Sequence, residues 1–234
     1  MSKNSTLKQN ILINPIETKI KSVILDFGGV ISQTLFETHS NTELALGLPR
    51  DSLKWKGPFD PKSDLLWKSM QNGEISERDY RNIRTREVGS LVGRNWTKIS
   101  DFIQAARGAE PEKIVRPEAL KIIRVALKKK IRLAILSNEL DLFYGDQFRK
   151  KLSFLKYFET IHDATYTKIL KPDPRAYQAC LKEMQLSAEN CLFIDDQYRN
   201  IVGAQKVGLK TVHFNVLNPS ESLSRILKLL KSNE

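Results

Sequence analysis

The sequence predicts an α/β protein: an open parallel sheet of Rossmann-like type, with helices on both faces and a small α-helical cap inserted after the first strand. Three observations predict it. Short, near-continuous apolar runs end in small or polar residues, as strands buried on both faces of a parallel sheet do. Helical periodicities alternate with those runs, the order that builds right-handed crossovers. Roughly 110 positions separate Asp26 from Ser137, whereas one crossover unit takes about 30.

The apolar runs are Val23-Ile24-Leu25, Leu133 to Leu136, Leu192-Phe193-Ile194 and Thr211 to Phe214, with a weaker one at Thr160-Ile161. Between them, Pro117 to Lys129 repeats apolar residues at helical spacing through Ala119, Ile122, Ile123, Ala126 and Leu127. Asp173-Pro174 reads as an N-cap followed by proline in the first helical position. The helix it opens sets Tyr177, Cys180, Leu181 and Met184 on one face. Asp64 to Gln71, Ser76 to Val88 and Asn95 to Arg107 are the helical stretches expected in the insert. The division expected is a polar lead-in over 1–18, a core of 19–32 with 116–234, and a cap of 33–115.

Composition excludes several classes. With 41% hydrophobic and 28% charged residues among 234, the chain is neither disordered nor membrane-spanning, since no run approaches ~20 apolar residues. The first ten residues are polar and lack the apolar stretch of a secretory signal, and two cysteines do not make a disulfide framework. A reduced, cytoplasmic protein is the expectation. The net charge of +11 hints at an anionic partner. Yet the insert is nearly neutral, and Lys128-Lys129-Lys130 with Arg132, like Lys206 and Lys210, precede strands. They belong to the sheet edge opposite the strand ends, so nucleic acid is not the expected partner.

Ligands of open α/β sheets bind at the carboxyl ends of the strands. The residues there are Asp26-Phe27-Gly28-Gly29, Ser137-Asn138 and Asp195-Asp196, with Lys171 just before the Asp173-Pro174 helix start. Three carboxylates, a hydroxyl and a lysine would converge on one edge. Such a set suits phosphoryl transfer. Mg²⁺ takes one or two carboxylates together with phosphate oxygens, a carboxylate can attack phosphorus, and cationic and hydroxyl donors hold the transferring oxygens.

Asp26-Phe27-Gly28-Gly29-Val30, Leu136-Ser137-Asn138, Lys171-Pro172-Asp173-Pro174 and Ile194-Asp195-Asp196 together resemble the four ordered motifs of the haloacid dehalogenase superfamily, and Asn200 to Gly208 is also typical of it. The resemblance covers residues 20–32 and about 117–215, and the insert is similar to that family's first-type cap. It implies a Mg²⁺-dependent hydrolase, most naturally a phosphatase of a small phosphorylated metabolite. Asp26 is then nucleophile and metal ligand, and Gly28 gives a backbone carbonyl to the metal. Ser137, the Asn138 backbone and Lys171 bind phosphate. Asp196 is the direct metal ligand, with Asp195 behind it.

One position departs from the usual phosphatase pattern. Where most such enzymes carry a second Asp two residues after the nucleophile, this chain has Gly28. An acid–base contribution of about 10²–10⁴ must come from elsewhere or be lost. A preference for good leaving groups follows, such as aryl or anomeric phosphates.

Taken singly, the same residues have plainer readings: Asp26 as a turn residue, Asp195-Asp196 or Ser137 as helix caps, Lys171 as a loop lysine. His39 and His162 stay outside the site, and Glu139 is a weak substitute acid. Trp55, Phe59 and Trp67 are expected as packing, Arg78, Arg81, Arg84 and Arg86 as mostly a solvated helix face with one of them a candidate to reach substrate, and Cys180 and Cys191 as core. The alternatives are a metal-independent 2-haloacid dehalogenase, which has no use for a cation-binding Asp pair, and a non-catalytic binding protein. Nothing in the sequence speaks to oligomeric state.

Overall fold

A computed structural model describes residues 19–108 and 110–232, so the lead-in expected over 1–18 lies outside the described residues. In chain order the main elements are β1 (Ser22–Leu25), α1 (His39–Ala45), α2 (Leu65–Gln71), α3 (Glu77–Leu91), α4 (Ile99–Arg107), α5 (Pro117–Lys128), β2 (Arg132–Ser137), α6 (Leu140–Tyr144), α7 (Asp146–Lys150), β3 (Thr160–Asp163), α8 (Ala164–Thr167), α9 (Pro174–Met184), β4 (Cys191–Asp195), α10 (Tyr198–Lys206), β5 (Lys210–His213) and α11 (Pro219–Lys231). Among the described residues, no helix is long and apolar enough to cross a membrane.

The five strands form one parallel sheet in the order β3-β2-β1-β4-β5. Successive strand residues point to opposite faces, and both faces are apolar. Val23, Leu25, Leu133, Ile135, Leu192 and Ile194 pack with Ile122 and Ile123 of α5 and Ile226 and Leu230 of α11. Ile24, Ala134, Leu136 and Phe193 pack with Tyr177, Cys180 and Met184 of α9 and Ile201 of α10. Helices on both faces thus follow from strands with no polar side. All the expected strands form, and so does the helix after Asp173, whose carboxylate accepts from the Arg175 N–H as an N-cap. On α5 the burial is narrower than its periodicity predicts: Ala119, Ile122, Ile123 and Ala126 are buried, but Leu127 is exposed.

Residues between β1 and α5 build the helical insertion. Helix α2 is capped by Asp64, and α3 opens with a Ser76/Asp79 capping box. The stretch expected over Asn95 to Arg107 becomes helical only at Ile99, whose preceding residue Lys98 is extended and offers no side-chain cap. Helix α1 was not predicted from sequence. The insertion has its own small core of Leu53, Trp55, Val88, Phe102 and Ala106. Its two connections run side by side: Ser32 bridges Val115, the Gln33 N–H donates to Ile114 O at 2.7 Å, and the Arg116 N–H to Ile31 O at 2.8 Å.

His39 of α1 sits 4.3 Å from the Trp55 ring, its Nε2 buried without a hydrogen-bond partner. Burial pushes its pKa from 6.5 down to about 4, against the nearby charges of Glu43 and Asp64. The unfolded chain therefore takes up the extra proton first. Stability is full above about pH 6.5 and falls as the pH drops towards about 4. Urea midpoints at neutral and mildly acidic pH check this: the acid-induced loss should be smaller in His39→Gln than in the parent, and an equal loss would assign it to other groups.

Candidate active site

The register aligns the chemistry. Leu25 lies beside Ile135 on β2 and Ile194 on β4, so the next residues along, Asp26, Leu136 and Asp195, form one row across three strands. Lys171 reaches into that row. Its Nζ donates to Asp26 Oδ1 at 2.8 Å, Leu136 O at 2.8 Å and Asp195 Oδ2 at 2.7 Å. All three of its protons are thereby committed, and the side chain is buried. Asn138 fixes the lysine's backbone, accepting from the Lys171 N–H at 2.7 Å and donating to its carbonyl at 3.1 Å.

The two adjacent carboxylates differ in what holds them. Asp195 accepts from Lys171, from the Gln197 N–H at 2.7 Å and from Asn200 Nδ2 at 3.0 and 3.1 Å. It is saturated within the protein. Asp196 accepts only from Gln197 Nε2, at 3.2 Å, among its described side-chain hydrogen bonds, and it lines the cavity above the strand ends. Carboxylate oxygens of Asp26, Asp195 and Asp196 lie within 4.8 Å of one another.

One buried ammonium thus faces three carboxylates. Burial pushes Asp26 up to about 7, with Asp195 adding to the shift and Lys171 opposing it. Asp196 is driven well above the ordinary carboxylate range by burial and then by the charges of Asp195 and Asp26. Lys171 goes the other way: despite its burial, Asp195 and Asp26 hold its pKa above the ordinary lysine value. A hard cation set against oxygen donors would relieve this imbalance.

The glycines of the first loop are unequal. Gly29 has φ +82°, and a Cβ there would lie 2.5 Å from the Asp196 carboxylate. At Gly28 a Cβ would meet nothing within 4 Å. The Gly29 carbonyl is held by Arg116 Nε at 2.8 Å, from the segment that returns from the insertion just before α5.

All the sequence-predicted site residues except Asp195 line one cavity of about 110 Å³: Asp26, Gly28, Ser137, Asn138, Lys171 and Asp196. Two expectations about the insertion are corrected. Arg81 and Arg84 are no solvated face. Arg81 pairs with Glu77 and lies 4.0 Å above the Phe143 ring, while Arg84 donates to the fully buried Asp64 at 2.6 Å. Only Arg78 and Arg86 of that series are exposed. Trp55 does pack in the insertion's core and Phe59 is exposed, but Trp55 and Trp67 also line the cavity. Glu139, also in its wall, is taken up by Arg78 at 2.6 Å.

Sequence reasoning missed Asn200, Gln197 and Glu77 as parts of this site. Asn200 lies five residues after Asp195 in the first turn of α10, a spacing that points it back at the strand end. Glu77 pairs with both Arg81 and Arg199 of α10, a contact no local pattern encodes.

A doubly wound parallel sheet with a buried lysine and an acidic cluster at its carboxyl edge, beneath a helical insertion, defines a Rossmann-like α/β protein with its site at the strand ends. A sequence model described as haloacid dehalogenase-like hydrolase matches residues 20–208. The chain belongs to that family, and it is a hydrolase. It is 29% identical over 215 residues to mouse acyl-CoA dehydrogenase family member 10, covering 90% of this chain but 19% of that protein. To the sesquiterpene phosphatase astK of Aspergillus oryzae it is 24% identical over 214 residues, covering 91% of this chain and 96% of the relative. Its fold is similar to the magnesium-bound crystal structure of Bacillus subtilis YfnB, with TM-score 0.60, 20% identity and coverage of 85% and 88%.

The loop geometry yields a direct test. Gly29→Ala should destabilise the protein by about 1–3 kcal/mol, from a strained φ and a collision with Asp196. Gly28→Ala should stay within about 1 kcal/mol of the parent. Chemical denaturation of the two variants measures the contrast, and equal costs would contradict it.

Proposed function

We propose that this chain is a Mg²⁺-dependent phosphatase of small phosphate monoesters, with Asp26 as the nucleophile. One observation carries the reading: Lys171 and Asn200 take up Asp195, leaving the carboxylates of Asp26 and Asp196 beside each other at the floor of a roofed cavity. The donors available there, two carboxylates and the Gly28 carbonyl, are hard oxygens of the kind Mg²⁺ selects. Asp26, Gly28 and Asp196 would hold the ion, with Asp195 behind them. When bound, Mg²⁺ supplies positive charge against the phosphate oxygens and the crowded carboxylates.

The chain's own residues then do the following. Lys171 fixes Asp26 by one oxygen, so the other is presented to phosphorus. Asp26 forms an O–P bond as the ester O–P bond breaks in line, and the alkoxide or aryloxide leaves with the bonding pair and takes its proton from water. Water afterwards attacks phosphorus, its proton is taken up by the site or solvent, and phosphate departs with the carboxylate restored. The Ser137 hydroxyl and Asn138 backbone N–H are the donors for phosphoryl oxygens. Lys171 contributes chiefly charge, because a bond from Nζ to phosphate would cost it one of its three protein acceptors.

Neither glutamate among the described residues of the cavity wall replaces the missing acid at position 28. Glu139 is salt-bridged. Glu77, despite its burial, is held below its ordinary value by Arg81 and Arg199, so it stays ionised at neutral pH. Leaving groups that need no proton are therefore favoured. The relatives' names indicate different substrates, a sesquiterpene phosphatase on one side and a glyceraldehyde 3-phosphate phosphatase on the other, so they support phosphate-ester hydrolysis without fixing the ester. We assign 33–115 as the cap, closing over a core of 19–32 and 116–234, and two buried free thiols suit a reducing, cytoplasmic compartment. A metal-independent dehalogenase would leave the half-buried Asp196 beside two carboxylates with no cation of its own.

A panel of phosphate esters with and without Mg²⁺ tests this. Turnover should disappear with excess chelator, return with Mg²⁺, and fall at least ~10³-fold in Asp26→Asn. Aryl phosphates should exceed simple alkyl phosphates in the parent, and Gly28→Asp, for which the loop has room, should raise alkyl phosphate turnover up to ~10². Full activity of Asp26→Asn, or of the chelated protein, would contradict the proposal.

A further inference from the structure

We infer that the esterified alcohol is an apolar, uncharged group, seated among Phe36, Trp67, Tyr80 and Phe143; this rests on the phosphatase reading of the site below it. Above the carboxylate row, the cavity wall is built from aromatic rings. Phe36, on the connection into the insertion, meets Trp67 edge-on at 5.1 Å and Trp55 at 5.4 Å, and Trp67 meets Tyr80 at 5.7 Å. Phe143 of α6 lines the same cavity, with the Arg81 guanidinium 4.0 Å from its ring centre. The ring set is locked in place: a Cβ at Gly57 would come within 2.4 Å of the Phe36 ring, so the backbone there is packed against the aromatic face.

The arginines and glutamates of the same wall are paired or hydrogen-bonded within the protein, except that the buried Nε atoms of Arg84 and Arg107 have no partner among the described residues. Arg81 pairs with Glu77, and Arg84 with Asp64 and Glu87 at 2.6 Å each. The terminal nitrogens of Arg107 donate to Gln33 O, Thr34 O, the Thr38 hydroxyl and the Tyr144 hydroxyl at 2.7–3.3 Å. Glu139 belongs to Arg78. A second phosphate or a carboxylate on the substrate would have to break one of these pairs, and a sugar's hydroxyls would be buried against ring faces that accept no strong hydrogen bond. An apolar group loses nothing by entering, and its burial favours binding.

Benzyl phosphate and glycerol 3-phosphate separate this from leaving-group effects, since both release an alcohol of similar basicity. With Mg²⁺, kcat/KM for benzyl phosphate should exceed that for glycerol 3-phosphate at least ~10-fold, the low end of what burying one ring supplies. Trp67→Ala should remove most of that advantage, by lowering the benzyl phosphate value more than the glycerol 3-phosphate value, and Trp67→Phe should restore it. Equal or reversed preference, or a Trp67→Ala loss shared equally by both esters, would overturn the inference while leaving a phosphatase in place. Should no ester be turned over, quenching of tryptophan fluorescence by benzylphosphonate and by methylphosphonate decides separately. Tighter binding of the benzyl compound, lost in Trp67→Ala, upholds the apolar chamber and removes the phosphatase reading. Equal binding removes both.

Discussion

The molecule is organised around one ammonium group. Lys171 Nζ ties together the ends of β1, β2 and β4 by donating to Asp26, Leu136 O and Asp195. Breaking such a buried ion pair from one side leaves an uncompensated charge and is strongly unfavourable, so the strand ends and the loop before α9 are bound to one geometry. The arrangement is also incomplete on its own terms. A single buried cation stands against three carboxylates, and Asp196 has little to hold it. The sheet is packed on both faces beneath that excess, and the excess is what suits the site to the cation and phosphate proposed for it.

The same constraint reaches the insertion. Arg116, at the return from the insertion, holds the Gly29 carbonyl and pairs with Glu37 at its entry. Both connections are therefore coupled to the loop that carries Asp26. On the far side, Glu77 meets Arg199, Arg78 meets Glu139, and Gln71 donates to Gln197 at 3.2 Å. These polar contacts ring the cavity between insertion and core, while the aromatic rings make its interior. The insertion is joined to its base both by these polar contacts and by a shared apolar cluster, in which Ile99 and Ile103 of α4 are buried with Leu140 and Phe143 of α6, so parting the two would expose apolar surface to water.

Much of this was legible in the sequence because a parallel sheet repeats one rule. Apolar runs mark the strands, and the residue after each run is delivered to a common edge, which is how Asp26, Ser137, Asp195 and Asp196 could be read together. The asymmetry between Asp195 and Asp196 could not be derived that way. It depends on Asn200 and on the direction from which Lys171 arrives, both set by packing of α9 and α10. Helices α6 and α7, of five residues each, were illegible for another reason. Helices that short have no stability of their own and form where tertiary contacts hold them; Phe143, Tyr144 and Phe148 are buried there. Arg81 and Arg84 misled because a charged helical stripe resembles a solvated face until its partners appear, and those partners (Asp64, Phe143) come from other elements.

The opening hint of the charge has a place in this picture. Lys128, Lys130 and Lys206 sit at or just beyond helix ends that lead into β2 and β5, at the edge opposite the carboxylates. Arg132 there is engaged by Glu159 and by Met184 O. The basic excess is a property of the far rim, and the site itself is short of positive charge.

That shortage, and the role of Asp26 within it, can be examined most directly by trapping the covalent state. The protein is mixed with p-nitrophenyl phosphate and Mg²⁺, quenched in acid within a turnover, digested and analysed by mass spectrometry. The account predicts one hydroxylamine-labile phosphoryl group on the peptide containing Asp26, absent when Mg²⁺ is withheld. Turnover without any such adduct, or a phosphoryl group carried by another residue, would contradict it.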